Sequence, residues 1–246
     1  MTAALSIDRL HKTFADKVAV NQLSLDVPAG QFFALLGHNG AGKTTTLKMI
    51  AGLTKPDQGS IKLFGHDIEQ DAAAAKTLLA YLPDEPLLYG RLRPLEYLEF
   101  VSGLWGIDAR TAESRARELL EWTNLWAHRG ETCDGFSRGM QQKLALCGAL
   151  IHDPKLLMLD EPLTGLDVMA AREVKELLQA KVKEGCTVIL TTHILDVAER
   201  LAEDIALIKA GSLIARGSLE QLREQSGKVG GSLEDVFVEL TQAEAA

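Results

Sequence analysis

Gly37-His38-Asn39-Gly40-Ala41-Gly42-Lys43-Thr44-Thr45 decides the reading of this chain. The stretch fits G-x-x-x-x-G-K-[ST], a loop whose backbone N–H groups surround the phosphates of a nucleotide. Its flanks agree with that reading. Gln31-Phe32-Phe33-Ala34-Leu35-Leu36 is an apolar run of strand length entering the loop. Residues 43–51 can leave it as a helix, with Leu47 and Ile50 on one side. The glycines permit close backbone approach, and the helix start directs its partial positive charge at the phosphates. In that arrangement Lys43 reaches the β- and γ-phosphates, and the Thr44 hydroxyl sits on Mg²⁺. A nucleoside triphosphate is the expected ligand.

Composition sets the outer limits. With 246 residues, 46% of them hydrophobic, the chain can bury the core of one large α/β domain. A formal charge of −8 and a pI near 5.3 argue against a nucleic-acid partner held by phosphate neutralisation. No apolar run approaches the roughly 18–20 residues that span a bilayer. Met1-Thr2-Ala3-Ala4-Leu5-Ser6 lacks the basic and apolar regions of an export signal. Cys133, Cys147 and Cys186 are odd in number and have no metal-ligand spacing, so they read as reduced thiols of a cytosolic protein. Membrane contact is therefore expected only through a partner.

Residues 4–10, 18–27 and 31–36 read as strands, as does the short run 59–65 between turn residues. Together they suggest a mainly antiparallel sheet leaning on the nucleotide-binding core. Residues 85–152 carry little strand signal. Pro94 opens a helical pattern through Leu95, Leu98 and Val101, and 111–123 and 139–151 are further helices. Strand and helix then alternate: strand 156–159, helix 170–184, strand 187–191, helix 194–201, then strands 205–209 and 212–215. That order implies a mainly parallel sheet. Leu233, Val236, Phe237 and Leu240 form the apolar stripe of an amphipathic helix that docks on its own core. The expected fold is α/β: a P-loop core with a mainly parallel sheet, an N-terminal antiparallel β subdomain and an inserted helical subdomain. One domain, 1–246, is expected, with 1–84 and 153–246 as core and 85–152 as the insertion.

A P-loop alone could serve a kinase, a GTPase or a motor; two further segments narrow the choice. Leu156-Leu157-Met158-Leu159 ends in Asp160-Glu161-Pro162, so a buried strand delivers two carboxylates at its C-terminal end, where open parallel sheets bind ligands. Asp160 is suited to the Mg²⁺ shell, and Glu161 to the attacking water as base or positioning group. In Phe136-Ser137-Arg138-Gly139-Met140-Gln141-Gln142-Lys143, Ser137 is a good N-cap, and the helix start it caps is a second anion site. One chain has little use for two such sites on one nucleotide unless a second chain supplies the other.

Taken in order, Phe14, residues 37–45, Asp84, 136–140, 156–161, Gly165-Leu166-Asp167 and His193 resemble the ATP-binding subunit of an ATP-binding cassette (ABC) transporter over essentially the whole chain. The resemblance implies an ATPase using ATP and Mg²⁺, paired with a second copy or a homologous ATPase subunit, and coupled to a multi-span transmembrane permease at the cytoplasmic face of the cell membrane. It further implies that Phe14 stacks on adenine and that Ser137 and Gly139 contact the γ-phosphate bound by the opposite subunit. Asp167 would lie at the dimer interface, and His193 would contact the γ-phosphate. Residues 84–105, rich in Leu87, Leu88, Tyr89, Leu92, Leu95 and Tyr97, are the expected coupling surface.

The chain departs from the family pattern in two places. Phe136-Ser137-Arg138-Gly139-Met140 stands where the family usually has Leu-Ser-Gly-Gly-Gln, and Asp84 stands where it usually has Gln. Met140 cannot make the side-chain hydrogen bond of Gln. Arg138 is unfavourable at a helix start unless it faces phosphate or solvent. The Asp84 carboxylate can coordinate Mg²⁺ or water but adds charge. The Arg-Gly-Met variant and the tail 232–241 resemble a bacterial exporter subgroup for drugs, ions or polysaccharides. Soluble assembly ATPases, such as that of iron–sulfur cluster assembly, share the motif order and form the alternative. DNA-maintenance ATPases carry a long coiled coil between the two phosphate-binding segments. No sustained heptads separate Lys43 from Ser137 here.

Overall fold

The computed structural model describes residues 3–243. Met1 and Thr2, part of the stretch read for an export signal, and residues 244–246 lie outside them. The chain opens with β1 (Ala3–Phe14), β2 (Lys17–Pro28) and β3 (Phe32–Leu36), followed by α1 (Lys43–Ile50), β4 (Gln58–Leu63), β5 (His66–Asp67), α2 (Ala72–Thr77) and β6 (Leu79–Leu82). Three helices come next: α3 (Pro94–Leu104), α4 (Ala109–Trp122) and α5 (Arg138–Leu150). Alternation then resumes with β7 (Leu156–Asp160), α6 (Val168–Lys183), β8 (Thr187–Thr192), α7 (Leu195–Leu201), β9 (Asp204–Lys209), β10 (Ser212–Gly217), α8 (Leu219–Ser226) and α9 (Leu233–Ala243).

Two sheets organise these elements. A four-stranded antiparallel sheet runs β2-β1-β4-β5, and a six-stranded sheet runs β10-β9-β3-β8-β7-β6, parallel except for the β9–β10 hairpin. The third apolar segment therefore does not join the antiparallel sheet suggested by the sequence. As β3 it lies between β8 and β9 in the parallel sheet. Burial explains the difference: all five β3 residues are buried, as a central strand covered on both faces requires, whereas β2 alternates exposed and buried positions.

Alternate residues of the central strands feed opposite layers. Leu157 and Leu159 of β7 and Val188 and Leu190 of β8 pack with residues of α3–α6. Leu156, Met158 and Ile189 pack instead with α1 and the antiparallel sheet. At one end of the first face, Leu233, Val236 and Phe237 of α9 close over Ala34, Leu36, Ile205 and Leu207, so this helix is spent on its own core. The packing brings the C-terminal ends of β3, β6, β7 and β8 to one edge, where the loops gather.

Candidate functional site

The loop after β3 is built around glycines that nothing else could replace. Gly42 has φ +106°, and a Cβ there would lie 2.4 Å from the Ala19 carbonyl oxygen. At Gly37 a Cβ would meet the Ile208 carbonyl oxygen at 2.4 Å. The loop is thus pressed between β2 and β9, and α1 starts directly from it. Lys43 is 6% exposed; its Nζ donates to the Gly37 carbonyl at 2.7 Å and lies 3.6 Å from Glu161 Oε1. The ammonium is therefore held under the loop, facing the acidic end of β7.

That end carries Asp160 and Glu161. Asp160 is 2% exposed, and its Oδ1 accepts a hydrogen bond of 2.5 Å from the Thr191 hydroxyl on neighbouring β8. Register causes the contact, since Asp160 pairs with Thr191 across the ladder. Glu161 has φ +50°, a conformation costing a non-glycine residue on the order of 1 kcal/mol. The neighbours over-determine it. Its N–H donates to the Thr191 carbonyl at 3.1 Å, and its Oε2 lies 2.9 Å from His193 Nδ1 and accepts from the His193 N–H at 3.3 Å. The strained backbone thus aims one carboxylate oxygen at Lys43 and the other at His193.

Lys43, Asp160 and Glu161 face a cleft of about 510 Å³ that is also lined by Phe14, Asn39, Gly40, Thr44, Thr45 and Asp84. The Phe14 ring is half exposed at this cleft, with Lys12 Nζ 5.3 Å from its centroid. Burial raises the Asp84 carboxyl above the usual range; the Arg138 guanidinium opposes the rise, while Asp160, Glu161 and Glu85 add to it. Gly37, His38, Asn39 and His193 line an adjoining depression against Leu195, Glu234, Phe237 and Val238 of the C-terminal layer. Within it the His38 and Phe237 rings meet edge-on at 4.9 Å. Ala41, within the loop itself, is buried.

Three sequence-derived site residues stand elsewhere. Ser137 is exposed and caps α5, its hydroxyl accepting from the Met140 N–H at 3.3 Å, and neither it nor Gly139 lines the cleft. Asp167 caps α6, its Oδ1 accepting from the Met169 and Ala170 N–H groups at 2.9 Å each. Of the six apolar residues named for the expected coupling surface, Tyr97 belongs to the core and Leu88, Leu92 and Leu95 pack against it, leaving Leu87 and Tyr89 exposed, as are Phe100, Leu104 and Trp105.

Sequence reasoning did not single out Thr191 or Tyr81. Thr191 is fully buried yet polar, and its role follows from its register opposite Asp160 rather than from a local sequence signal. The Tyr81 hydroxyl is shut away from solvent without a hydrogen-bond partner among the described residues. Burial first, and then the Asp160 carboxylate, push its ionisation up. Among the described residues no three His, Cys, Asp or Glu side chains cluster as a metal cage. Thr44, Asp84 and Asp160 around one cleft instead suit Mg²⁺, which takes one or two protein oxygens beside substrate phosphates and water.

The comparisons agree on one family. A family model described as ABC transporter matches residues 20–164. The ABC-type transporter ATP-binding protein EcsA of Bacillus subtilis is 34% identical over 98% of both chains. Nod factor export ATP-binding protein I of Cupriavidus metallidurans is 39% identical over 90% of this chain and 73% of its own. The daunorubicin resistance ATP-binding protein DrrA3 of Streptomyces coeruleorubidus is 37% identical over 99% of this chain and 76% of its own. Among solved structures, the ATP binding subunit of an ABC transporter superposes with a TM-score of 0.90 at 32% identity, covering 97% of this chain and 99% of that one. CbiO1 from Clostridium perfringens shares the fold, with a TM-score of 0.80 at 24% identity over 93% of each chain.

Proposed function

The chain belongs to the ABC transporter family as an ATP-binding subunit and ATPase, and on that premise we propose that two copies, or this chain and a homologous subunit, clamp two ATP molecules between them. The observation that carries the proposal is the division of the phosphate-binding groups. One set surrounds the cleft at Lys43, while the exposed α5 start at Ser137 and Gly139 lies outside it. A second chain placing its α5 start over the first chain's cleft completes the site, and ATP then favours the closed pair because only that state offers both sets of contacts.

Within each site, residues 37–45 hold the triphosphate, Phe14 stacks on adenine, and Lys43 neutralises the β- and γ-phosphates. Thr44, Asp160 and Asp84 hold Mg²⁺, which when bound offsets charge on the phosphate oxygens. Glu161 takes the proton of the attacking water as its oxygen bonds to the γ-phosphorus and the bond to the β-phosphate oxygen breaks, releasing ADP and phosphate. A carboxylate can only accept, so the His193 Nδ1 beside Glu161 carries a proton. The opposite nitrogen is then a donor to the γ-phosphate only as imidazolium. Asp167, on the turn before α6, faces the second chain.

No helix among the described residues is long and apolar enough to cross a membrane. A multi-span permease at the cytoplasmic face is the proposed partner. Its seat is a groove of about 540 Å³ between β6, the loop carrying Pro86 and Leu87, the faces of α3 and α5 at Tyr97 and Ala145, and Trp105 and His152 just past the ends of those helices. Leu87 is 94% exposed at its rim, an apolar side chain placed where a partner would cover it. Export is the proposed direction, from the Nod factor and daunorubicin relatives. Mass spectrometry of what co-purifies with tagged chain from native membranes in mild detergent tests this. A stoichiometric multi-span protein is expected, and recovery with soluble partners alone would favour an assembly ATPase.

A further inference from the structure

Two of the positions that depart from the family pattern, Asp84 and Arg138, are far apart in sequence but adjacent in the fold. Arg138 Nη2 lies 3.7 Å from Asp84 Oδ1, and it is the ion-pair partner of Asp84 among the described residues. The same guanidinium covers Gly165, where a Cβ would come within 3.1 Å of its Cζ. Gly165 has φ +74° and lies in the turn that leads to the α6 cap at Asp167. One side chain at the α5 start, next to Ser137, thus touches both the loop after β6 and the turn before α6.

Asp84 has reason to need that cation. It lines the same cleft as Asp160 and Glu161, so an unpaired carboxylate there would add a third negative charge facing the triphosphate. Both side chains are about half exposed, so the pair adds little to stability, and its effect lies in where it holds the carboxylate. We infer that Arg138 is a positioning residue for the ATPase: it fixes the direction of the Asp84 carboxylate at the edge of the cleft and ties it to the Gly165 turn. The half of the site serving this chain's own nucleotide is thereby linked to the helix start offered to the opposite chain. This rests on the ATPase reading above. It also makes the two departures one feature, because an Arg at position 138 gives a carboxylate at 84 a partner.

Steady-state hydrolysis by the purified full chain, with Arg138→Gln, Asp84→Asn, the double variant and Arg138→Lys, tests the inference. Both positions are half exposed, so none of these changes removes core packing. Arg138→Gln is expected to raise KM for Mg-ATP about threefold, the scale of an exposed ion pair, with a smaller change in kcat. Arg138→Lys, which keeps the charge, should restore most of that loss. In the Asp84→Asn background the Gln substitution should leave KM nearly unchanged, because no carboxylate remains to be held. An equal rise in both backgrounds, or no rise in either, overturns the inference while leaving the ATPase reading intact. A wild-type chain that neither binds nor hydrolyses ATP sinks the ATPase reading instead.

Discussion

Thr191→Val probes the heart of the site while preserving shape. The Thr191 hydroxyl is fully buried, and it donates at 2.5 Å to a carboxylate that is itself 2% exposed. Valine keeps the volume and the branched Cβ that suit β8, so packing and strand preference change little. The loss is one hydrogen bond to a buried charge, worth about 2 kcal/mol. The Glu161 N–H, which also approaches this hydroxyl, retains the Thr191 backbone carbonyl and adds little to the cost. For a domain of this size, about 2 kcal/mol lowers Tm by roughly 4–8 °C. Asp160 would also lose the contact that fixes its rotamer, so the rise in Tm on adding Mg-ATP should shrink. Thermal melts of Thr191→Val and Thr191→Ser, with and without Mg-ATP, separate the effects. The serine keeps the hydroxyl and should keep the ligand-induced rise. A valine variant melting within a degree of wild type, with an undiminished rise, would refute the reasoning.

Asp167→Ala removes a cap that accepts from two N–H groups at 2.9 Å, and chemical denaturation should show a loss of about 1 kcal/mol. Phe237→Ala should cost about 3–5 kcal/mol, because the ring is buried in the C-terminal layer; the variant also removes the edge contact to His38 and should weaken nucleotide binding in a fluorescence titration. The three cysteines are free and buried, so a thiol reagent at pH 8 should label none in the native protein and all three in denaturant. Burial raises the Cys147 thiol to about 12 and the Cys186 thiol to about 11. Their folded values exceed the unfolded one, so stability is full below about pH 8.5 and falls as pH climbs towards those values, by at most about 1.4 kcal/mol per pH unit for each thiol. Melts from pH 8 to 11 should show this decline, and Cys147→Ala should flatten it.

What the sequence reveals of this fold depends on how local the cause is. The loop of residues 37–45 is a contiguous pattern whose glycines and lysine act within a few residues of each other, so it can be read directly. Asp160 and Glu161 are legible because an apolar strand must end somewhere, and carboxylates at that end have few other uses. The placement of β3 was misjudged although its signal was present: an unbroken apolar run marks a strand covered on both faces, unlike the alternating β2. Thr191 depends on the register of β8 against β7, and the Asp84–Arg138 contact on the packing of α5 against the loop after β6. Neither leaves a local pattern. Ser137 shows the opposite case, since its capping role follows from residue type and position alone.

The central claim is that ATP joins two of these chains, and Glu161→Gln tests it most directly. Glutamine keeps the shape of the side chain but cannot take the proton of the attacking water, so ATP should persist in the closed pair. Light scattering on size-exclusion chromatography of this variant should show a monomer without nucleotide and a dimer with ATP, while hydrolysis falls at least a hundredfold, as loss of a general base implies. A variant that stays monomeric with ATP bound would contradict the pairing of two copies of this chain, and hydrolysis at the wild-type rate would contradict the role of Glu161 as the base.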